Sequence, residues 1–591
     1  MQPSTLAKPV NLLIFLAIVA FYLYGLGHLP LVGPDEPRYA QVAREMLLRH
    51  DLVTPTLGGH TWFEKPSLLY WLMIASYKIF GVSEAAARLG PAISGLLTIV
   101  AVWCVGQQVE RHTDEGNLAG LGFSSALVLA TSLGTIAFSR GASFDIVITM
   151  TTTWSLAFFL LQELATTVRT RTLLLAGFYL AVGFSLLAKG LVGIVIPFGV
   201  TSFYYLLRRE WPARQVWFSL IWGTPLALAV AATWYGPVIS RHGWQFIDEF
   251  FVQHHFARYI SNKFHHPQPF YFYLLIVVPL TLPWCAFLVD ALLRLRSWQW
   301  RGAGSLSKLR IFSLAWFLMP ILFFSFSGSK LPGYIVPILP ATALLIGERV
   351  TRWSVPGGPR WAWRVTGVVF LALSVVAIVY ATRSTLITAG CSVLVALPLV
   401  IAGLAVLVGR WPKSAVVLGG AGVIASLVVV LNCAAPAVAQ RDSLRDLLRV
   451  ADARGYSDAL VLARRGNDRT AEFYASGRVI YGPDGEVVEV DEAAQLIKIA
   501  QQRGPVLAFV PAEDLALFQG AVGGKGDHEG PTPWSGAIVE VIGTNGQVAL
   551  IGVRPKEWMV DCTKRKESHS FSGESKIRYH RLQPGGISVS T

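Results

Sequence analysis

The stretch Leu386-Ile387-Thr388-Ala389-Gly390-Cys391-Ser392-Val393-Leu394-Val395-Ala396-Leu397-Pro398-Leu399-Val400-Ile401-Ala402-Gly403-Leu404-Ala405-Val406-Leu407-Val408 runs for 23 residues without a charged side chain. A helix needs about 20 apolar residues to cross the hydrocarbon of a bilayer, so this run is long enough to span one. Runs of the same kind recur near 10–29, 85–108, 117–138, 144–165, 172–188, 190–207, 216–236, 271–293, 311–327, 331–348, 365–382 and 414–434. They predict an all-α polytopic membrane protein with about thirteen transmembrane helices. The first run is longer than the apolar core of a secretory signal and lacks a small-residue cleavage site, so it is read as a retained span.

Composition agrees. Hydrophobic residues make up 53% of the 591-residue chain and charged residues 15%, against about a quarter charged in soluble domains. A net charge of +14 on a soluble chain would raise nucleic-acid binding, but here position decides. With the N-terminus cytoplasmic, the even-numbered connections carry seventeen Lys and Arg from Arg111 to Lys413, and the short opposite ones only Arg140, Lys189, Lys330 and Arg383. The positive-inside rule orients the chain accordingly and puts its C-terminal segment outside. Five scattered cysteines are too few for a disulfide framework and read as structural.

The expected organisation is a membrane domain over 1–440, a small outer α/β domain over 441–561 and a polar, basic, poorly ordered tail over 562–591. Apolar strands Ala459–Ala463, Val506–Val510, Ala537–Ile542 and Val548–Val553 alternate with helical stretches near 442–454 and 491–503. Two longer outer loops, about 30–84 and 237–270, hold the unusual polar residues. In the first, Tyr39, Val42, Ala43, Met46 and Leu47 follow helical spacing, which predicts an amphipathic helix on the membrane surface. Pro66 is expected at the first position of a second helix running to about Phe80.

Asp35, Glu36 and Arg38 open that first helix. Two readings stand: Asp35 as N-cap with Glu36 a favourable first-turn charge, or carboxylates that orient an acceptor and take its proton. In Trp62-Phe63-Glu64-Lys65-Pro66, Lys65 either meets lipid head groups or binds the phosphate of a lipid-borne donor. Arg140, Lys189 and Lys330 lie on outer turns, where cations are disfavoured; each is a snorkelling anchor or part of an electropositive hollow, with Asp145 as acidic counterpart. The second loop places His254 and His255 near Arg258, then His265 and His266. These are hydrogen-bond donors to phosphate or solvated interfacial groups, or His254 and His265 join Glu64 around a divalent metal such as zinc.

At these residues the chain resembles the bacterial lipid A aminoarabinose transferase family and its relatives, the protein O-mannosyltransferases with the GT-C fold. The resemblance spans roughly Asn11 to Gly347. It rests on Asp35-Glu36-Pro37-Arg38-Tyr39-Ala40, Trp62-Phe63-Glu64-Lys65-Pro66, Leu187-Ala188-Lys189-Gly190, His254 with Arg258, Gln268-Pro269-Phe270-Tyr271 and Ser329-Lys330-Leu331-Pro332-Gly333-Tyr334. It implies thirteen spans, an active site over an amphipathic-helix loop on the periplasmic side of a bacterial inner membrane, and a periplasmic C-terminal domain. It further implies an undecaprenyl-phosphate sugar donor, inversion at the anomeric carbon, and lipid A or another envelope glycolipid or protein as acceptor, with no required cofactor. By the same resemblance Asp35 is the catalytic carboxylate, Arg38 and Lys65 contact phosphate, Glu64 shapes the acceptor or metal site, and Lys330 and Tyr334 line the donor cavity. Gln253 stands where such enzymes often have Glu, which removes one negative metal ligand. The rival class is a lipid-carrier flippase or transporter; a structural scaffold leaves the loop motifs without a purpose.

Overall fold

The computed structural model describes residues 9–113, 118–260, 267–354, 358–384, 386–408, 412–464, 469–483, 485–490, 493–516 and 537–555. His265 and the 562–591 tail lie outside them. The chain divides into two compact units. One comprises Met1–Arg449, Asn467–Val487 and Asn545–Gln547; the other comprises Val450–Gly466, Val488–Thr544 and Val548–Thr591. The division differs from a single cut near 440, because a short stretch of the C-terminal region belongs with the membrane helices.

The first unit is helical because backbone amides in hydrocarbon must pair within their own segment. Its early helices are α1 (Pro9–Leu23), α2 (Glu36–Leu48), α3 (Leu68–Phe80), α4 (Glu84–Arg111), α5 (Leu121–Thr131), α6 (Leu133–Arg140), α7 (Phe144–Leu164), α8 (Val168–Lys189), α9 (Val192–Arg208) and α10 (Arg214–Phe246). Among the described residues nine helices are long and apolar enough to cross a membrane, and α5 with α6, bent by 60°, makes a tenth. The other three expected spans contain shorter apolar helices: α1, α9 and Phe272–Thr281. The last of these stops ahead of Pro283, and helix resumes at Cys285, since proline cannot donate to the ladder.

The second outer loop is largely helical. Helix continues from α10 through π-turns at Ile247–Ala257 to Ile260, 47 residues in all, more than twice the ~20 needed to span. The chain bends at Gly243 (φ 53°), so we take the span to end there.

The apolar face of α2 meets protein where the sequence predicts a lipid surface. Tyr39, Val42, Ala43 and Met46 are buried in one cluster with Leu69 and Met73 of α3, Phe144 of α7 and Phe473. A short helix, Thr470–Tyr474, packs on α2, supplying the second apolar wall that lipid would otherwise provide. Ser67 occupies the N-cap position of α3, so that helix starts just after Pro66.

One buried ion pair ties these elements together. The Arg88 guanidinium, from α4, donates to both Glu36 oxygens (3.0 and 2.7 Å) and to the carbonyls of Leu26, Leu29 and Pro30 (2.9, 2.8 and 2.7 Å). Glu36 also accepts from Val32 N–H (3.1 Å) and Ala142 N–H (2.6 Å). Every Arg88 donor is used, which is what keeps a guanidinium inside a bundle affordable.

Cys391 and Cys433 form a disulfide, with Cα atoms 6.0 Å apart, a pairing that cysteine counting missed. The two cysteines are 42 residues apart in sequence, and only the packing of their helices brings them together. In the second unit the strands are β3 (Leu460–Ala463), β4 (Val506–Pro511), β5 (Ala537–Thr544) and β6 (Val548–Pro555), ordered β3-β4-β6-β5. β3 runs parallel to β4 and the other pairings are antiparallel. β1 (Thr56–Leu57) and β2 (His60–Thr61) form a hairpin in the first unit.

Glu36→Gln leaves Arg88 as a buried, partly uncompensated cation, a change that costs about 3–5 kcal/mol in comparable sites. Thermal unfolding in detergent is expected to show a clearly lowered melting temperature.

Candidate active site

The outer motifs meet at the end of the bundle where α7 begins and α8 ends. Ser143 caps α7 by accepting from Asp145 N–H (3.0 Å), which puts the Asp145 carboxylate in the first helical turn. Lys189 is the last residue of the neighbouring antiparallel α8. Helix dipoles favour an acid at the first site and a base at the second, and Lys189 donates to Asp145. Gly190 follows in a left-handed conformation (φ 69°), and a Cβ there would collide with the His255 ring. Close packing of the turn against the second loop therefore requires glycine.

From this pair a continuous series of contacts runs through the motifs. The Lys189 ammonium sits 5.0 Å from the Tyr334 ring centre, within cation–π range. The backbone of Gly333 lies so close to Asp145 that a Cβ would strike its carboxylate. Arg258 donates from Nε to Tyr334 Oη (2.9 Å) and from Nη1 to Glu64 Oε1 (3.3 Å). Lys65 Nζ donates to the same oxygen at 2.8 Å, and Arg38 Nη1 stands 3.8 Å from Glu64 Oε2. The Arg38 guanidinium covers the Trp62 ring at 5.0 Å and faces Glu472 at 3.7 Å.

The loop is braced to hold these groups. Glu45 accepts from Thr56 Oγ1 (2.8 Å), Gly58 N–H (2.8 Å) and Gly59 N–H (3.2 Å), pinning the hairpin turn, whose two glycines have φ 60° and 84°. Phe63 N–H donates to Glu249 (3.4 Å) and its ring packs edge-on to Phe246 at 5.2 Å. Glu64 and Lys65 follow directly.

Asp35 occupies the N-cap position of α2, is exposed, and makes no capping bond, so the reading of its side chain as a cap does not hold. Burial raises the Tyr39 phenol well above its ordinary value, and the negative charges of Asp35, Glu64 and Asp145 push it further. The three carboxylates thus act on one buried hydroxyl.

Burial pushes the Glu64 carboxyl up, but Lys65, His254 and Arg258 overcome it and hold the group well below the usual carboxylate range. Burial lowers His254 to about 4, with Lys65 and Arg258 contributing and Glu64 opposing. Glu472 goes the other way: burial raises its carboxyl against the pull of Arg38 and Arg469.

Three expected site residues are occupied elsewhere. Glu36 is consumed by Arg88 and two amides, as described above. Arg140 donates to Phe21 O and Tyr24 O (2.6 Å each), closing the C-terminal end of α1. Lys330 is buried and donates to Ser327 O (2.7 Å), bracing the turn that leads to Tyr334. Glu472 is the residue that sequence reasoning missed.

For the expected metal, Glu64 and His254 are close enough to influence each other's ionisation, and His254 is neutral at pH 7 as a ligand must be. Against this, Glu64 already faces three cations, and among the described residues no group of three His, Cys, Asp or Glu gathers as a metal site. His265 lies outside the described residues.

An apolar cavity of about 460 Å³ lies between α9 and the helix Ser305–Ser325, lined by Gly199, Phe203, Met319, Phe323 and Tyr259 among others. Tyr259 adjoins Arg258 in sequence, so the cavity lies one residue from the cationic series.

These helices define a polytopic membrane protein whose charged motifs gather at one end of the bundle. Residues 64–236 match the family described as dolichyl-phosphate-mannose-protein mannosyltransferase. An undecaprenyl phosphate-alpha-4-amino-4-deoxy-L-arabinose arabinosyl transferase of Serratia proteamaculans is 33% identical over 57% of this chain and 58% of its own length. One from Pseudomonas fluorescens is 32% identical over 62% of each. The chain thus spans about three-fifths of these relatives' length. The crystal structure of ArnT from Cupriavidus metallidurans bound to undecaprenyl phosphate superposes with a TM-score of 0.73 at 23% identity, covering 92% of this chain and 98% of that one. The chain shares the fold of that ArnT and is similar in sequence to the arabinosyl transferases over part of their length.

The depressed His254 value sets the sign of a pH effect. The unfolded chain binds the proton first, near pH 6.5, so stability is present above that value and is lost as pH falls toward 4. His254→Asn is expected to flatten this acid limb in melting curves between pH 7 and 4, while the parent protein loses stability there.

Proposed function

We propose that the chain is an inverting glycosyltransferase that moves a sugar from a polyprenyl-phosphate carrier, with undecaprenyl phosphate as leaving group, to an acceptor on the outer face of a bacterial inner membrane. The observation that carries this reading is the unbroken contact series from Asp145 through Lys189, Tyr334, Arg258 and Glu64 to Lys65 and Arg38, all at one end of the bundle. The names of its relatives and the undecaprenyl phosphate in the ArnT crystal structure support the donor class.

In the reaction the acceptor oxygen bonds to the anomeric carbon while the carbon–oxygen bond to phosphate breaks, and the electron pair leaves with the carrier phosphate. Such a leaving group needs little acid help, so catalysis consists of positioning and of stabilising the charge that builds on phosphate. Arg38, Lys65 and Arg258 are the cations we assign to that phosphate, with Tyr334 Oη as a further donor. The apolar cavity beside Tyr259 suits the isoprenoid chain. Asp35, exposed and without a capping bond, takes the proton of a hydroxyl acceptor or orients a phosphate acceptor. Asp145 with Lys189 anchors the wall between them, and we assign Glu36, Arg140 and Lys330 to the scaffold. A divalent ion held by Glu64 and His254 would add positive charge near the phosphate; no step here requires one.

We place the N-terminus in the cytoplasm and the site in the periplasm. The Lys and Arg asymmetry supports this, as does the Cys391–Cys433 disulfide, which suits an oxidising compartment. The acceptor class is lipid A or another envelope glycolipid or protein. A flippase would instead gather its polar residues and broken helices at mid-membrane; the linked charges here lie on helix ends and loops.

In reconstituted membranes supplied with polyprenyl-phosphate-linked sugar, Asp35→Asn and Lys65→Ala are each expected to abolish transfer while leaving expression intact. Full transfer by both variants rejects the assignment.

A further inference from the structure

The stretch 469–483 leaves the sheet-forming C-terminal region to join the unit of the membrane helices, and its attachments to α2 and the preceding loop are specific. Leu31 N–H donates to Tyr474 Oη (2.7 Å), which donates in turn to Glu84 (3.2 Å). Arg44 donates to Ser476 Oγ (2.9 Å) and Phe473 O (3.4 Å), and Phe473 is buried in the cluster beneath α2. Between these anchors the short helix holds Glu472, whose side chain is fully buried. Arg469 grips one carboxylate oxygen at 2.9 Å; the other faces Arg38 Nε at 3.7 Å.

That distance is the informative one. Arg38 Nε and Glu472 Oε2 are both buried without a hydrogen-bond partner, and the opposite side of the same guanidinium stands 3.8 Å from Glu64. Arg38 is therefore suspended between two carboxylates over the Trp62 ring, attracted by each and bonded to neither. Two balanced pulls fix the plane of a guanidinium while leaving its donors open to an incoming anion; with one removed, the group swings onto the other.

We propose that Glu472, delivered by this excursion of the C-terminal region, is a positioning residue that holds Arg38 off Glu64 and so keeps it available to the phosphate of the lipid-linked donor. The proposal rests on the glycosyl-transfer reading above. Because Arg38 binds phosphate before and during transfer alike, its misplacement weakens donor binding more than it slows chemistry.

The test is steady-state transfer by the full-length protein in proteoliposomes, with polyprenyl-phosphate-linked sugar varied, for parent, Glu472→Gln, Arg38→Gln and the double variant. Glu472→Gln keeps the shape and removes the charge. Its donor KM is expected to rise about tenfold with kcat changed less than about threefold, and the double variant to be no worse than Arg38→Gln alone. Arg469→Gln, which keeps Glu472 but frees its other oxygen, is expected to give a smaller rise in the same parameter. A Glu472→Gln protein with parental melting temperature and parental donor KM overturns the proposal, as do additive effects in the double variant. A Glu472→Gln protein that fails to fold leaves Arg469→Gln to decide: an unchanged donor KM there also overturns it. If Arg38→Gln alone transfers normally while Asp35→Asn does not, the positioning role fails and the transferase reading stands. If the parent transfers no sugar at all, both fall.

Discussion

Arg88 is the residue on which the outer half of the molecule depends. A guanidinium placed within a helical bundle is tolerated only if all five of its donors find acceptors, and here three are backbone carbonyls of Leu26, Leu29 and Pro30 and the rest belong to Glu36. Meeting that requirement fixes the path of the chain leaving α1 and the point at which α2 begins. Glu36 carries the constraint onward through Ala142 N–H to the start of α7. Asp35, Arg38 and Asp145 are thereby set at fixed places around one ion pair that takes no part in the chemistry proposed. An apolar replacement of equal volume could match its stability but not its directional control.

The charges of the site are arranged on a different principle. Arg88 and Glu36 meet at 2.7 Å and Arg310 and Glu348 at 2.6 Å; in the site Lys65 meets Glu64 at 2.8 Å and Lys189 donates to Asp145, whereas the arginine pairs Arg258–Glu64, Arg38–Glu64 and Arg38–Glu472 stand at 3.3, 3.8 and 3.7 Å. Five cations, Arg38, Lys65, Lys189, Arg258 and Arg469, are offset by Asp35, Glu64, Asp145 and Glu472, so the charges nearly balance, with positive in slight excess. Looser pairs lose less when a cation changes partner, and desolvation has already been met in forming the site. A phosphate entering such a setting gains Coulombic attraction at low local dielectric while displacing few tight bonds.

Much of this was legible from the sequence. The apolar runs located the helices because a 20-residue stretch without charges has few other uses, and the four strands of the second unit fall where their apolar patterns placed them. Lys189 drew attention because a cation on a short outer turn conflicts with the orientation rule and so needs a local explanation, and Glu64, Arg258 and Tyr334 because they stand in the polar loop and turn motifs. Other features were invisible for definite reasons. The burial of the α2 face against protein depends on Thr470–Tyr474, more than four hundred residues away. Cys391 and Cys433 share no spacing rule, only the ends of neighbouring helices. Glu36 and Arg140 looked like their functional neighbours, and their bonds to Arg88 and to the end of α1 are visible only in the structure. Glu472 lies in a segment whose composition resembles the soluble unit on either side of it.

The order in which these parts leave the ribosome gives the fold a built-in delay. Asp35, Lys65 and Arg258 precede Glu472 by more than two hundred residues, and the carboxylate that faces Arg38 emerges only after the apolar helix Ser414–Arg441. A nascent chain, however well inserted, lacks one wall of the hollow. Competence thus waits for the segment that follows the Ser414–Arg441 helix, and products truncated before it carry the preceding helices without the finished charge constellation.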